Sequence, residues 1–378
     1  MQRMIRSIRD IEVIAPNLKF RHTGVTSTIK ALLPAQSKHL RIASLGVGLP
    51  ADWLQITWRG LFRRGWQPPP NRPFRIWHAR RNNEMIIGWI LRAVFRMPLR
   101  LVFTSAAQRV HKPLTQFFLR RMDAIIATSP EAASYLRVPA KVILHGVDVK
   151  RFQPAANRDE EWRAGGLAGR YGIGIFGSVR PQKGSDIFVE AMVHLLPRYP
   201  DFTAVIVGAV TIEQQSFFER LKRRVAEVGL TERIVFLQER PAAELPVWLR
   251  RMTIVVGPQR WEGFGLVPLE AMASGAAVVA TRVGAAHHLI VENETGHLVP
   301  SEDLKALVAK IEPLMQNPEL AGAMGRKGRT HVVEHFSIER EAAEIQAVYE
   351  KCWNGQRAAD RQPASLETSN VQHRTSNN

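Results

Sequence analysis

The stretch from Thr253 to Thr281 constrains this chain more than any other, because it sets two apolar runs on either side of a glycine-broken loop and a short helix. Thr253-Ile-Val-Val-Gly-Pro reads as a buried strand ending at a loop, and Ala276-Ala-Val-Val-Ala-Thr as the next strand. Between them, Gly263 and Gly265 permit positive φ and close backbone approach. Pro268 suits the first turn of a helix, which is expected to begin near Leu266 and to stop at Gly275. Strand, loop, helix and strand in that order make a βαβ unit of an α/β fold, whose ligands bind at the carboxyl ends of the strands.

A helix start at Leu266 turns free N–H groups and a positive dipole end toward whatever lies over Gly265, and phosphate is the usual occupant of such a corner. Glu262 precedes the helix and Glu270 lies within its first two turns, so they are not one i,i+4 surface pair. They can hold different parts of one ligand, such as a sugar and a ribose on opposite sides of a diphosphate; the alternative is a solvated loop acid and a dipole partner. A second candidate cradle lies upstream. Ile173-Gly-Ile-Phe-Gly-Ser-Val-Arg-Pro-Gln-Lys-Gly-Ser-Asp reads as a strand, a loop carrying Arg180 and Lys183, and a helix from about Ser185. Two cations above a turn can neutralise a diphosphate leaving group.

Several ordered blocks carry a family resemblance. Glu262-Gly-Phe-Gly-Leu-Val-Pro-Leu-Glu270-Ala-Met-Ala-Ser-Gly275, His145-Gly-Val-Asp148 followed by Phe152 and Pro154, Gly177 through Lys183-Gly184, and Gly208 together resemble the retaining glycosyltransferases of family 4. The resemblance implies the GT-B fold: two Rossmann-like, doubly wound domains facing across a cleft, with a C-terminal helix crossing back to the first. It implies that Glu262 contacts the sugar hydroxyls and Glu270 the ribose, that Gly263, Phe264, Gly265, Leu266 and Val267 form the donor corner, and that Lys183 and Arg180 face the diphosphate. Gly24, opening a helix in Gly24-Val-Thr-Ser-Thr, corresponds to a glycine-rich turn under the donor phosphates, although a plain strand-to-helix turn accounts for it equally. Gly24-Val-Thr-Ser-Thr, Phe103-Thr-Ser-Ala-Ala-Gln and Arg180-Pro-Gln-Lys-Gly are similar to bacterial lipopolysaccharide core mannosyltransferases. That would make GDP-mannose the co-substrate and a phosphorylated, Kdo-bearing lipid A the acceptor.

The chain departs from the family pattern in three places. Ser178 stands where an arginine is usual, Gly284-Ala285-Ala286 replaces a paired glycine, and Thr104-Ser105 ends a strand that many members follow with a histidine. Ser105, His78 and His111 are therefore the acceptor-side candidates, each histidine having a plain structural reading beside the functional one. No Asp-x-Asp pair occurs in the sequence, so neither a donor-bound metal nor a cofactor is expected.

Charge separates the two halves. Residues 1–150 hold 25 Lys and Arg against 7 Asp and Glu, while residues 151–378 hold 27 of each, so the net charge of +18 resides in the first half. This asymmetry predicts an acidic partner for one domain: nucleic acid, an anionic membrane or a phosphorylated glycolipid. The resemblance selects an anionic lipid-linked saccharide and peripheral contact with the inner face of the cytoplasmic membrane, with no nucleic acid. Pro50 to Trp66 sets Trp53, Trp58, Leu61, Phe62 and Trp66 among Arg59, Arg63 and Arg64, which fits a membrane interface or an amphipathic helix with an aromatic core face. Arg92, Arg96 and Arg100 read as the basic edge of a packed helix and of the strand Leu99–Phe103. The single cysteine, Cys352, excludes an internal disulfide.

The expected domains are residues 1–150 for the acceptor, a polar linker over 151–168, 169–337 for the nucleotide sugar, a crossover helix over 338–354 and a disordered tail over 355–378. Related folds leave other functions open: a transferase using a UDP-sugar, a nucleotide-sugar epimerase, or a sugar-sensing module.

Overall fold

The computed structural model describes residues 8–19, 24–50 and 52–355. The tail expected over 355–378 lies, beyond Gly355, outside the described residues. The first half contributes strands β1 (Val13–Asn17), β2 (Ile42–Gly46), β3 (Gln55–Ile56), β4 (Arg75–Ala79), β5 (Leu99–Ser105), β6 (Ala124–Ala127) and β7 (Lys141–Val142). They form one parallel sheet in the order β3-β2-β1-β4-β5-β6-β7. The second half contributes β8 (Tyr171–Phe176), β9 (Phe202–Val207), β10 (Ile234–Gln238), β11 (Met252–Gly257), β12 (Ala277–Thr281) and β13 (His297–Val299). This parallel sheet runs β10-β9-β8-β11-β12-β13. Two Rossmann-like sheets of this kind are the expected GT-B arrangement.

The apolar runs form these strands because helices cover both faces. Every residue of β9, β11 and β12 is buried, as a sheet sandwiched between helices requires. Successive side chains alternate between the faces. Ile173, Ile175, Ala204, Ile206, Ile254 and Val256 pack with Phe188, Met192 and Leu195, whereas Val205, Val207, Val255 and Val278 pack with Leu269, Met272 and Val332. In each sheet the strand order reverses once, between β1 and β4 and between β8 and β11. A crevice opens at such a reversal, where successive loops diverge to opposite faces.

The chain crosses between the domains twice, and the crossings lie side by side. Val147 N–H donates to Phe336 O at 2.8 Å and Ile338 N–H to Val147 O at 2.9 Å. The Glu341 carboxylate accepts from Gly146 N–H at 2.8 Å and meets His145 Nδ1 at 2.7 Å. After the second crossing, helix Ile338–Trp353 packs Ile338, Ala342, Ile345, Tyr349 and Trp353 into the first domain's core with Val13, Ile29, Leu33 and Val102. The last helix is thus a structural part of the first domain.

Two local expectations are corrected. The 151–168 segment is no bare linker: it carries helix Arg158–Arg163, capped by the Asn157 side chain, and its Trp162 is buried against the second domain. Glu161 holds that helix to Arg250 at 2.9 Å. Arg92 and Arg100, read as a basic edge, instead converge on Asp123 at 2.5 and 2.9 Å. Helix Asn82–Ala93 ends before Arg96, whose φ of 55° reverses the chain toward β5.

Candidate active site

The β8/β11 reversal brings the two sequence-predicted cradles together. The loop after β8 forms a short 3-10 turn, Pro181–Lys183, and leads into helix Ser185–Leu195. The loop after β11 leads into helix Leu266–Ala273, which starts where the glycine pattern placed it, with Gly265 at φ 94° as its N-cap. No side chain caps this helix, so its first N–H groups remain available to an anion. Lys183 Nζ forms an ion pair with Glu262 Oε2 across the gap, and both side chains are about four-fifths enclosed. Glu262 Oε1 accepts from Gly263 N–H at 3.0 Å, which fixes the carboxylate at the lip of the helix.

Long-range contacts absent from the sequence pattern hold the two loops in register. Arg260 pairs bidentately with Asp186 at 2.9 Å for each contact, meets Glu302 at 2.8 Å, and donates to the Pro181 carbonyl. Its own N–H donates to Gln182 O at 2.9 Å. Arg260 thereby supports the turn that carries Lys183. Arg180 is half-buried at the start of that turn, and its Nε is enclosed with no hydrogen-bond partner among the described residues.

Other donor-corner residues have distinct environments. Phe264 is buried and meets the His145 ring edge-on at 4.8 Å, linking the corner to the domain crossing. Leu266 and Val267 pack against the second domain's core and contribute backbone N–H groups at the helix start. Gly24 is the first residue of helix Gly24–Gln36; the residues just before it lie outside the described residues.

Glu270 has part of its surface exposed, but its carboxyl is withdrawn from water. Burial pushes that carboxyl up to about 7 from an ordinary 4.5, with Arg151 pulling it partly back. Between those values the folded protein binds more protons than the unfolded chain, so stability falls as pH rises through the window. The urea midpoint of the donor-free protein should therefore decline from about pH 5 to about pH 7.5, and Glu270→Gln should flatten that decline. An identical pH slope in the variant would assign the titration to another group.

The first domain presents the segment after β5 to this corner. Gln108 Nε2 donates to Gly263 O at 3.1 Å. Ser105 Oγ lies 3.4 Å from His111 Nε2, and burial together with Arg109 lowers the His111 pKa. Ser105 and His111 thus bracket the segment that reaches the Gly263 corner. His78 does not. It is fully enclosed, its Nδ1 is 2.5 Å from Tyr349 Oη and its Nε2 is 2.7 Å from Thr104 Oγ1. Burial and Arg80 hold it well below the usual histidine range. His78 is a core residue that ties β4 to the last helix, which removes it from the acceptor-side candidates.

Known proteins resemble this chain in sequence and in fold. Residues 158–331 match the family model described as glycosyl transferases group 1. Over 343 residues the chain is 51% identical to the lipopolysaccharide core biosynthesis mannosyltransferase LpcC of Rhizobium leguminosarum bv. viciae, covering 90% of this chain and 97% of that one. It is 48% identical over 347 residues to LpsB of Rhizobium meliloti (strain 1021), a protein of the same description, covering 91% and 98%. The crystal structure of Anabaena Alr3699/HepE in complex with UDP shares the fold, with a TM-score of 0.75 at 18% identity over 90% of this chain and 100% of that one. With paired Rossmann-like sheets, a glycine-lipped corner at the second sheet's reversal and near-full-length relatives of this kind, the chain belongs to the group 1 glycosyl transferases and is a glycosyltransferase of GT-B fold.

Proposed function

We propose that this enzyme moves mannose from GDP-mannose, with retention at the anomeric carbon, onto an anionic lipid-linked saccharide during lipopolysaccharide core assembly. The contact between Lys183 and Glu262 beneath an uncapped helix start carries the reading. In the free enzyme the carboxylate occupies the ammonium group. A donor diphosphate would take Lys183, Arg180 and the first N–H groups of helix Leu266–Ala273, freeing Glu262 for the sugar hydroxyls while Glu270 receives the ribose. As the glycosidic bond breaks, negative charge grows on the departing diphosphate, and fixed cations are most effective there. The chain's own cations and dipole serve this step, and no cofactor enters it. The names of the two rhizobial relatives support mannose and the core pathway. Incubation with radiolabelled GDP-mannose, UDP-glucose or UDP-galactose over envelope lipids tests the donor. Label should reach lipid from GDP-mannose alone; transfer from a UDP-sugar instead would overturn the assignment.

The acceptor side of the proposal rests on the first domain's surface. Helix Trp58–Arg64 buries Leu61 and turns Trp58 and Phe62 outward. Phe62 meets Trp66 at 6.1 Å and Phe95 at 5.3 Å, and all four of these aromatic side chains are exposed. Beside them a recess is lined by Arg9, Arg63, Arg64, Trp66 and Gln67. Exposed aromatic rings ringed by guanidinium groups suit an anionic headgroup layer and support peripheral contact with the inner face of the cytoplasmic membrane. Among the described residues no helix is long and apolar enough to cross a membrane. Phosphatidylglycerol vesicles should pellet the wild type at low salt, whereas W58S/F62S/W66S should remain largely in the supernatant. Equal pelleting of both would place the lipid contact elsewhere.

A further inference from the structure

Outside the cleft chemistry, one cluster joins the two domains. Glu131 lies in the first turn of the short helix Pro130–Ser134, just after β6 of the first domain. His287 and His288 lie in the short helix Ala286–Leu289, just after β12 of the second. Both imidazoles reach the same carboxylate oxygen: His287 Nε2 is 3.0 Å and His288 Nε2 2.8 Å from Glu131 Oε1. The rings are 4.0 Å apart, and the three groups offer ligand atoms all within 4.8 Å of one another. Glu131 Oε2 is shielded from solvent and has no hydrogen-bond partner among the described residues. A shielded carboxylate oxygen with no partner points to a missing ligand.

We infer that Glu131, His287 and His288 form a zinc-class metal site that clamps the two domains together. Two imidazoles and one carboxylate are a zinc donor set, with the fourth tetrahedral position left to water. Metal bonds of about 2.0–2.2 Å put tetrahedral ligand atoms about 3.3 Å apart, so the two nitrogen-to-oxygen separations need open by less than about half an ångström. Each imidazole would bind through a bare Nε2 with its proton on Nδ1, so a neutral ring needs only a change of tautomer and a charged ring gives its extra proton to solvent. Zinc suits this set, while magnesium, which favours oxygen ligands and holds its water, does not.

The clamp would act on the catalytic corner. Ala285 N–H donates to Phe264 O at 2.9 Å, and Gly284 packs against the Glu262 side chain. A metal tying His287 and His288 to the first domain therefore restrains the loop that bears Glu262, and slows any step that needs the domains to part. This consequence rests on the proposed role of Glu262; metal binding itself does not.

The direct test counts zinc on the full chain after dialysis in a chelator-buffered Zn²⁺ solution. Wild type should hold one Zn²⁺ per chain, unaffected by excess Mg²⁺, and Zn²⁺ should raise its thermal midpoint. H287A/H288A should bind more weakly than wild type by more than the roughly hundredfold that loss of an outer-shell partner causes, and its midpoint should not respond. H335A is the comparison, because His331 and His335 form the rival pair, rings 5.0 Å apart on one helix. H335A should keep the stoichiometric ion, and Co²⁺ should give it and the wild type the intense visible absorption of a tetrahedral complex. The clamp is overturned if the wild type takes up no zinc, if H287A/H288A retains the same affinity, or if the ion is lost in H335A instead.

Discussion

Lys183→Ala should lower the rate of sugar transfer about a hundredfold, a loss of about 2.7 kcal/mol of transition-state stabilisation. The ammonium group is about four-fifths enclosed and already bears on Glu262, so the site is dry enough for one charge to matter. The effect should fall on kcat more than on KM, because the diphosphate gains charge as it departs. Glu262→Ala should cost at least about tenfold, about 1.4 kcal/mol, through the sugar hydroxyls. The double variant should be less impaired than the product of the two single losses, since each partner left alone is an enclosed charge without its counterion. Single-turnover transfer of labelled donor measures all three. Wild-type turnover in both single variants would mean that the reaction takes place elsewhere.

Gly184→Ala should be among the most disruptive single-methyl changes in the second domain. Gly184 has a φ of 73°, and a Cβ there would stand 1.9 Å from the Pro258 carbonyl oxygen. The left-handed backbone alone costs about 1–2 kcal/mol for a side chain, and the clash can be relieved only by moving one loop off the other. That movement pulls the Lys183 turn from Arg260 and Pro258, so about 3 kcal/mol or more of stability and most donor affinity should go together. Gly166→Ala separates the two contributions: its φ is 68°, yet nothing lies within 4 Å of the added methyl. It should lose only the conformational part, about 1 kcal/mol, and keep normal turnover. Urea midpoints with and without GDP compare the two. Equal destabilisation by both changes would show that the loops are not in close contact.

How much of this was legible in the sequence depended on whether the signal was local. β11, helix Leu266–Ala273 and β12 were readable because uninterrupted apolar runs and two loop glycines sit within thirty residues. Edge strands β3 and β13, of two and three residues, have no run long enough to declare them. Helix Arg158–Arg163 reads as linker because its surroundings are polar, yet its Trp162, like Phe152 before it, has a large apolar surface to bury. Pairings between distant residues leave no local signal: Arg260 reaches Asp186 over 74 positions, and His288 reaches Glu131 over 157. His78 followed the same logic in reverse, since what encloses it is Tyr349, 271 residues away.

The return of the final helix to the first domain also orders events on the ribosome. Residues that finish the earlier core, Ile345 and Trp353 among them, are the last of it to be translated, by which time every strand of the later sheet has already emerged. The half encoded second is therefore the first able to close, while the half encoded first waits open and sticky for its final piece.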